Sequence, residues 1–273
     1  MDESGRTGPP SLRLGSFNLF SGRSPADGRT SPDRLLSAIA TLDVDVLGVQ
    51  EVDRFQPRSG SVDQVELVAK AMATCDFRFA ETVRGRMDAP GWTAGRALDP
   101  DGLAPAGPGY GIALCSRVPV SQWHELRLPP PARPYPTLTI GETGRRRLRF
   151  ELDRQPRAAL AAVLSEPQVT VAVTHLSYVP PGNVGQLLRV VRWLRTLPPP
   201  TVLLGDLNLP LWAARALTLR TPLVEAPTFP ASAPRVQLDH VLAAGFPARA
   251  TGTGSALELA VSDHRAVRAE LTR

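Results

Sequence analysis

The sequence is poor in the residues that mark several common classes of protein. Among its 273 residues only two are cysteines, Cys75 and Cys115, and they lack the paired spacing of a structural zinc site. There is no run of ~18 apolar residues, and the first residues lack the apolar core of a signal peptide. We therefore expect a soluble, cytoplasmic protein with no membrane partner, and two buried free thiols rather than a disulfide.

Lysine is almost absent, because Lys70 is the only one among 31 basic residues. A net charge of +5 and a pI of about 10.0 would suit a polyanionic partner. Arginine, proline, glycine and alanine all have GC-rich codons, however, so a GC-rich genome explains this bias without a ligand. Aromatic residues make up only 5% of the chain and do not alternate with basic ones, which gives no sign of single-strand stacking. Nucleic acid stays a possible partner.

Apolar runs of strand length alternate with helix signals. Ser31 followed by Pro32 and Asp33 predicts a helix to about Leu42, and Asp63 predicts the cap of another. Further helices are expected over 183–197, capped by Asn183, and over 211–217. Strands are expected at 12–19, 44–51, 110–117, 137–140, 147–152, 158–164, 169–174, 201–206, 237–242 and 261–267.

No internal repeat or change of composition marks a linker. The economical interpretation is a single domain of mixed α/β type over 12–273, after a disordered start at 1–11. Three loops, at 55–62, 85–109 and 129–136, are expected to carry substrate choice. The loop at 85–109 is long and rich in proline and glycine, and loops of that kind are often functional.

The stretch TVLLGDLN at 201–208 is an apolar run that ends in a carboxylate, a spacer and a carboxamide. The run suits a strand buried on both faces, which places Asp206 and Asn208 at its rim. Residues two apart in a strand point the same way, so both would face one site if the extended geometry continues. Such a pair suits phosphate ester hydrolysis, in which an acceptor handles a water and a neutral donor binds an oxygen. The alternative is an ordinary turn, because Asp and Asn are both common turn residues.

Five segments share this design, an apolar run followed by a group that can bind metal, phosphate or a proton. They supply Asn18, Glu51, His175, Asp206 with Asn208, and Asp263 with His264. Each motif is weak alone, since strand ends are often polar. Their joint occurrence is hard to explain as an accident.

Other hydrolytic chemistries fit less well. The consecutive residues Ser262, Asp263 and His264 contain the letters of a catalytic triad, but neighbours in a strand face opposite sides. The chain has no Gly-x-Ser-x-Gly turn, no His-Glu-x-x-His helix and no phosphate-binding loop with lysine. A set rich in Asp, Glu and Asn and poor in thiols suits a hard ion such as Mg²⁺.

The order of these pieces resembles a known family. From the N-terminus the chain carries FN at 17–18, QE at 50–51, YGIALCSR at 110–117, THL at 174–176, GDLN at 205–208, LDHVL at 238–242 and SDH at 262–264. This order is similar to that of small bacterial members of the endonuclease/exonuclease/phosphatase superfamily, which includes DNase I-like nucleases, sphingomyelinases and inositol polyphosphate phosphatases. The resemblance implies an α/β four-layer sandwich, in which two mostly antiparallel β-sheets pack face to face between helices.

The resemblance also implies a divalent metal at one end of the sheets. Glu51 would be its principal ligand, with Asn18 beside it touching the metal or a phosphate oxygen and Asp263 close by. The expected cofactor is Mg²⁺, with Mn²⁺ as a substitute. The expected partner is a phosphoester substrate, and the chain is expected to be a monomer.

Catalytic roles follow from the same positions. Asp206 would orient or activate the attacking water, while His175 and Asn208 would bind the phosphate. His264 would act as general acid/base or stabilise the transition state, and Asp239 would hold its imidazole. The reaction would then be in-line attack by water on a phosphoester, with a phosphodiester favoured.

Two departures from the family pattern are visible. Ser21 stands where many small bacterial members carry a histidine, and His240 replaces the tyrosine of the usual Asp-Tyr pair. We expect His240 to face away from the site, because adjacent strand residues diverge. His175 makes the chain less similar to abasic-site repair members, which generally have asparagine there. A DNA endonuclease or exonuclease, and a non-catalytic binding protein on the same fold, stay alternatives.

Overall fold

The computed structural model describes side chains and backbone of residues 11–74, 76–97, 107–131, 153–247 and 252–272, and the backbone alone of 135–140, 146–151 and 251. Of the start that was expected to be disordered, 1–11, only Ser11 is described, and it begins the first strand opposite Thr272. Cys115 is a buried free thiol, as expected, and Cys75 lies outside the described residues.

The described part of the chain holds fifteen strands and four α-helices. The helices are α1 (Pro32–Leu42), α2 (Gln64–Met72), α3 (Gly182–Leu194) and α4 (Leu211–Thr218). The strands are β1 (Ser11–Asn18), β2 (Val46–Arg54), β3 (Asp76–Arg84), β4 (Thr93–Ala94), β5 (Gly109–Ser116), β6 (Val120–Leu128), β7 (Tyr135–Ile140), β8 (Arg146–Glu151), β9 (Arg157–Leu164), β10 (Thr170–His175), β11 (Thr201–Asp206), β12 (Thr221–Pro222), β13 (Asp239–Ala244), β14 (Thr251–Leu257) and β15 (Ala266–Thr272).

Two large sheets form the centre of the fold. Seven strands follow the order β14-β15-β1-β2-β5-β3-β4, and six follow the order β12-β13-β11-β10-β9-β6. The pairs β1–β2 and β10–β11 are parallel, whereas the other pairs in these sheets are antiparallel. The strands β7 and β8 pair only with each other. The prediction of two mostly antiparallel sheets is confirmed.

Three apolar cores define four layers. Side chains such as Leu14, Ile112, Leu160 and Val173 fill the space between the two sheets. A second core packs α1 and α2 against the outer face of the seven-stranded sheet, and a third packs α3 and α4 against the six-stranded sheet. The predicted four-layer α/β sandwich is therefore the observed one. None of the described helices is long and apolar enough to cross a membrane.

The helix starts show which capping signals the chain uses. The Ser31 hydroxyl accepts a hydrogen bond from Arg34 N, and the Asp63 carboxylate accepts bonds from Val65 N and Glu66 N, as predicted. The predicted cap of α3 at Asn183 is wrong, because Pro181 precedes the helix and no side chain caps it. The amide of Asn183 instead donates to Asn208 O at 2.9 Å, which ties α3 to the loop after β11.

Five strands, β3, β4, β6, β12 and β14, are absent from the sequence-based prediction. All of them except β3 lie at sheet edges, where one backbone edge is unpaired and an apolar run is not required. The strand predicted at 261–267 begins only at Ala266, so Ser262, Asp263 and His264 lie in a loop. The prediction that strand geometry separates these three side chains therefore rested on a wrong premise.

Candidate active site

Strand pairing brings the predicted polar residues to one end of both sheets. The parallel pair β1–β2 places Asn18 opposite Gln50, and the parallel pair β10–β11 places His175 opposite Asp206. The antiparallel strand β13 begins at Asp239, which lies opposite Asp206. Because these ends coincide, groups that are far apart in sequence meet in one place.

Glu51 was predicted to end its strand, but it does not. The strand β2 continues to Arg54, and its register against β5 shifts between Val49 and Val52. Glu51 has a φ of 53° within this irregularity, a conformation that non-glycine residues rarely adopt. A β-bulge redirects side chains in this way, and here it aims a carboxylate into the site.

The amide of Asn18 joins two carboxylates. Its Nδ2 atom donates to Glu51 Oε1 at 3.0 Å and to Asp206 Oδ2 at 3.1 Å, while its Oδ1 accepts a hydrogen bond from Phe20 N. Asn18 is fully buried and does not line the cavity above it. In this arrangement Asn18 fixes the positions of Glu51 and Asp206 rather than facing a substrate.

Asp206 and Asn208 both line the cavity, although not through a continued strand. The strand ends at Asp206, and Asn208 has a φ of 49°, so the expected extended geometry stops there. Asn208 N donates to Asp206 Oδ1 at 2.9 Å, and Asn208 Nδ2 donates to Leu176 O at 3.0 Å. The second N–H of that amide is left for another acceptor.

Asp239 holds the imidazole of His264. Its Oδ2 lies 2.9 Å from His264 Nδ1, and the Phe229 ring packs on the imidazole with 4.8 Å between centroids. His264 Nε2 lies 3.9 Å from Asp206 Oδ2. Burial lowers the pKa of His264, but the charge of Asp239 and the hydrogen bond to it outweigh burial and raise the pKa to about 10. His264 is therefore a cation at neutral pH.

His175 differs from His264 in its partner and in its charge. Its Nδ1 lies 3.2 Å from a guanidinium nitrogen of Arg157, and Arg157 in turn donates to Asp153 at 2.8 Å. Burial, with the nearby charges of Arg157 and His264, lowers the pKa of His175 well below its usual value. His175 is thus a neutral imidazole whose Nε2 lies 3.6 Å from Asp206 Oδ2.

The carboxylates of Glu51 and Asp206 lack an arginine or lysine partner in an ion pair among the described residues. Burial raises the pKa of Glu51, and burial together with the charge of Asp239 raises the pKa of Asp206 to about 7. A half-buried carboxylate, Glu51, and a buried one, Asp206, that share one neutral amide have the donor chemistry of a divalent cation site.

A second group could also hold a cation, since ligand atoms of Asp206, Asp239 and His264 lie within 4.8 Å of one another. The hydrogen bond from His264 Nδ1 to Asp239 occupies one carboxylate oxygen, as expected for an acid that orients an imidazole. Asp239 Oδ1 is buried and has no hydrogen bond to a described residue. The pair Glu51 and Asp206, whose shared donor is a neutral amide, fits a cation better.

The cavity above these groups has a volume of about 530 Å³. It includes residues that were not named as site residues from the sequence: Arg58, Met87, Trp92, Tyr110, Asp153, Arg154, Gln155, Arg157 and Tyr178. Three of them, Arg58, Met87 and Trp92, lie in the loops at 55–62 and 85–109 that were expected to carry substrate choice.

Tyr110 and Arg157 stand at the beginnings of β5 and β9, which are antiparallel to β2 and β10. The start of a strand lies beside the end of its antiparallel neighbour. A polar residue at a predicted strand start was therefore the sequence signal for Tyr110 and Arg157.

Three predicted site residues do not line the cavity, namely Asn18, Asp239 and Asp263. The charge of Asp263 nevertheless contributes to the raised pKa values of Glu51 and His264. His240 faces the other side of its sheet, as predicted, and its Nε2 lies 2.8 Å from Leu209 O.

The sequence profile of the Endonuclease/Exonuclease/phosphatase family matches residues 15–264. The chain belongs to this family. Family members are phosphoester hydrolases and usually use divalent metals, which supports an enzymatic role for this chain. A comparison with curated proteins found no matching sequence.

Solved structures of family members have the same fold. An endonuclease/exonuclease/phosphatase from Beutenbergia cavernae is 22% identical, with a TM-score of 0.64 over 96% of this chain and 71% of that one. A mannosyl-6-phosphatase from Bacteroides thetaiotaomicron is 14% identical, with a TM-score of 0.62 over 96% and 100% of the two chains. Sphingomyelinase C from Streptomyces griseocarneus is 16% identical, with a TM-score of 0.59 over 96% and 99%. At these identities the likeness shows the fold.

Proposed function

We propose that this chain is a divalent-metal-dependent phosphoester hydrolase that directs water in line at phosphorus, with a phosphodiester as the favoured substrate. The observation that carries the proposal is the Asn18 amide shared by the carboxylates of Glu51 and Asp206, which line a cavity that two histidines also face. A binding protein would have no need for this set of acid, base and metal-binding groups.

Glu51 is the principal holder of the metal in this proposal, with Asn18 fixing its carboxylate and Asp263 adding negative charge nearby. When bound, Mg²⁺ or Mn²⁺ would offset negative charge on the phosphate. The carboxylates of Glu51 and Asp206 and the absence of a paired arginine among the described residues support this assignment.

Asp206 orients the water and takes its proton. Its pKa, raised to about 7 by burial and by Asp239, suits a group that must release and accept a proton near neutral pH. The water oxygen forms a bond to phosphorus while the bond from phosphorus to the leaving oxygen breaks. His264, protonated and held by Asp239, supplies a proton to the leaving oxygen.

His175 and Asn208 act as neutral donors to the non-bridging phosphate oxygens. His175 carries its proton on Nε2, because Arg157 occupies Nδ1, and Asn208 has one amide N–H unused by described residues. Each donor aimed at charge that develops in the transition state is worth roughly 10²-fold in rate. No covalent enzyme intermediate is needed.

The cavity lining bears on the choice of substrate. The cavity combines the cations of Arg58 and Arg154 with the apolar surfaces of Trp92, Met87 and Tyr178. Relatives of the same fold are named for a phosphosugar and for sphingomyelin. A DNA endonuclease or exonuclease is the alternative within the same chemistry, and a non-catalytic binding protein is the alternative outside it. The cytoplasmic location and monomeric state stay predictions.

The test is hydrolysis of bis(p-nitrophenyl) phosphate with Mg²⁺ or Mn²⁺, repeated after EDTA. We expect turnover with metal and none with EDTA. A panel of plasmid DNA, abasic duplex, inositol phosphates, mannose 6-phosphate and sphingomyelin then identifies the preferred substrate. Failure to turn over any of these with either metal would favour the binding-protein alternative.

A further inference from the structure

A second cavity lies at the far end of β11 from Asp206. It has a volume of about 350 Å³ and is lined by the C-terminal part of α3, by the end of α4 and by Thr201. Thr201 and Asp206 are the first and last residues of β11, so about 17 Å of strand separates this cavity from the candidate active site. The hydrolytic proposal leaves it without a role.

The cavity contains a buried arginine with free donors. Arg220 is only 7% exposed, and its Nη1 donates to Thr201 O at 3.2 Å and to Thr201 Oγ1 at 2.9 Å. Its Nε and Nη2 atoms make no hydrogen bond to any residue that the structure describes, and neither atom is fully buried, so both are accessible to solvent. Buried guanidinium groups are normally paired with a carboxylate, and no acidic side chain of the described residues lines this cavity.

The charge around Arg220 is positive. Burial and the charge of Arg195, which also lines the cavity, lower the pKa of Arg220 to about 10. The C-terminal ends of α3 and α4 contribute about half a negative charge each, which offsets roughly one of the two guanidinium charges. About one positive charge is left for a ligand to neutralise.

The remaining wall is apolar. Val191, Leu194 and Leu197 line one side, and Leu219 at the rim is 85% exposed. Leu219 therefore extends the apolar wall from the buried side chains to the rim, which suits a ligand with an apolar part. The volume falls within the range of small-molecule sites, at roughly 300–1,000 Å³.

We propose that this cavity binds an amphiphilic monoanion, a single negatively charged head group on an apolar chain, with the head on Arg220 and the chain along Val191, Leu194 and Leu219. Arg195 lies at the exposed edge and adds long-range attraction, whereas Arg220 supplies the hydrogen bonds through Nε and Nη2.

The experiment uses decanoate as the probe, below its micelle concentration, in isothermal titration calorimetry with the full chain. Acetate, which has the head without the chain, and decanol, which has the chain without the charge, are the comparison ligands. We expect decanoate to bind with one site per chain and at least tenfold more tightly than either comparison ligand. Equal affinity for acetate or decanol, or no binding of decanoate, would overturn the proposal.

Variants locate the site. Arg220→Met should weaken decanoate binding by at least tenfold, because a hydrogen bond to a charged group is lost. Arg195→Met, at an exposed position that does not risk the fold, should weaken it about threefold. Arg215→Met removes an exposed arginine that pairs with Glu225, and His264→Ala alters the active site; both should bind as wild type does. Wild-type affinity in Arg195→Met, or in a folded Arg220→Met protein, would contradict the proposal.

Discussion

A guanidinium nitrogen of Arg157 lies 3.2 Å from Nδ1 of His175, so this histidine has a cation as its partner. Arginine can only donate, and therefore Nδ1 must accept and the proton of the neutral imidazole must sit on Nε2. The neighbouring histidine, His264, has a carboxylate at the same ring position. The two imidazoles consequently have different tasks, one as a neutral donor and one as a proton carrier.

Arg157→Lys tests this relationship. Lysine keeps a positive charge for Asp153 but lacks the fork that reaches His175 as well, so we expect kcat to fall about tenfold with little change in melting temperature. In a His175→Ala background the same substitution should have no further effect, because Arg157 acts through His175. A steady-state double-mutant cycle measures this. An equal loss in both backgrounds would show that Arg157 acts elsewhere.

Glu51→Gln should remove the metal while leaving the fold intact. The change deletes the negative charge and keeps the shape, so we expect Mn²⁺ affinity to fall at least tenfold and turnover to fall roughly 10³-fold. Calorimetric titration with Mn²⁺ and a melting curve measure both effects. Glu66→Gln, at an exposed carboxylate on α2, is the matched control and should behave as wild type. Unchanged Mn²⁺ affinity in Glu51→Gln would show that another group holds the metal.

The lowered pKa of His240 predicts that the stability of the protein depends on pH. Burial lowers this pKa, although Leu209 and Asp239 oppose the shift, so the folded protein binds fewer protons than the unfolded chain below about pH 6.5. The free energy of unfolding should therefore decrease as pH falls from 7 to 5, by up to about 1.4 kcal/mol per pH unit from this residue. Urea unfolding at both pH values measures the decrease.

His240→Gln keeps a donor for Leu209 O and removes the titration. The variant should lose less stability between pH 7 and 5 than wild type does. The comparison cancels the contributions of the other histidines, including His264, whose raised pKa acts in the opposite direction. An identical pH dependence in both proteins would show that His240 does not carry the effect.

Gly48→Ala tests how closely the two sheets pack. A Cβ atom at Gly48 on β2 would lie 2.6 Å from Val173 Cγ2 on the facing sheet, so we expect a loss of about 1–3 kcal/mol in the free energy of unfolding. Gly185→Ala is the control, because nothing lies within 4 Å of that position in α3. Alanine there should stabilise the protein by about 0.5–1 kcal/mol. Denaturant unfolding of both variants measures the difference.

The sequence was informative where an apolar run and a polar residue adjoin. That pattern, with the family resemblance, predicted the layers of the fold and the polar groups at the ends of β1, β10 and β11, because a buried strand must be apolar until it reaches solvent. It placed Glu51 at a strand end, whereas the structure has it in a bulge inside β2. A bulge depends on how two strands pair, and one strand's pattern does not contain that information.

The missed residues have a related cause. Arg157 and Tyr110 lie at strand starts, where a polar residue before an apolar run looks like any loop residue. Their role emerges only when the antiparallel pairing of β9 with β10 and of β5 with β2 is known. Arg220 is similar, because its burial against Thr201 follows from the packing of α3 and α4 and not from its neighbours in sequence.

Turnover of bis(p-nitrophenyl) phosphate by Asp206→Asn at saturating Mg²⁺ tests the central claim most directly. Asp206 meets Asn18, Asn208, His175 and His264, so it is the group on which the proposed water activation depends. We predict that the substitution lowers kcat at least about 10³-fold while the melting temperature stays at or above that of wild type. Wild-type turnover by a folded Asp206→Asn protein would contradict the account.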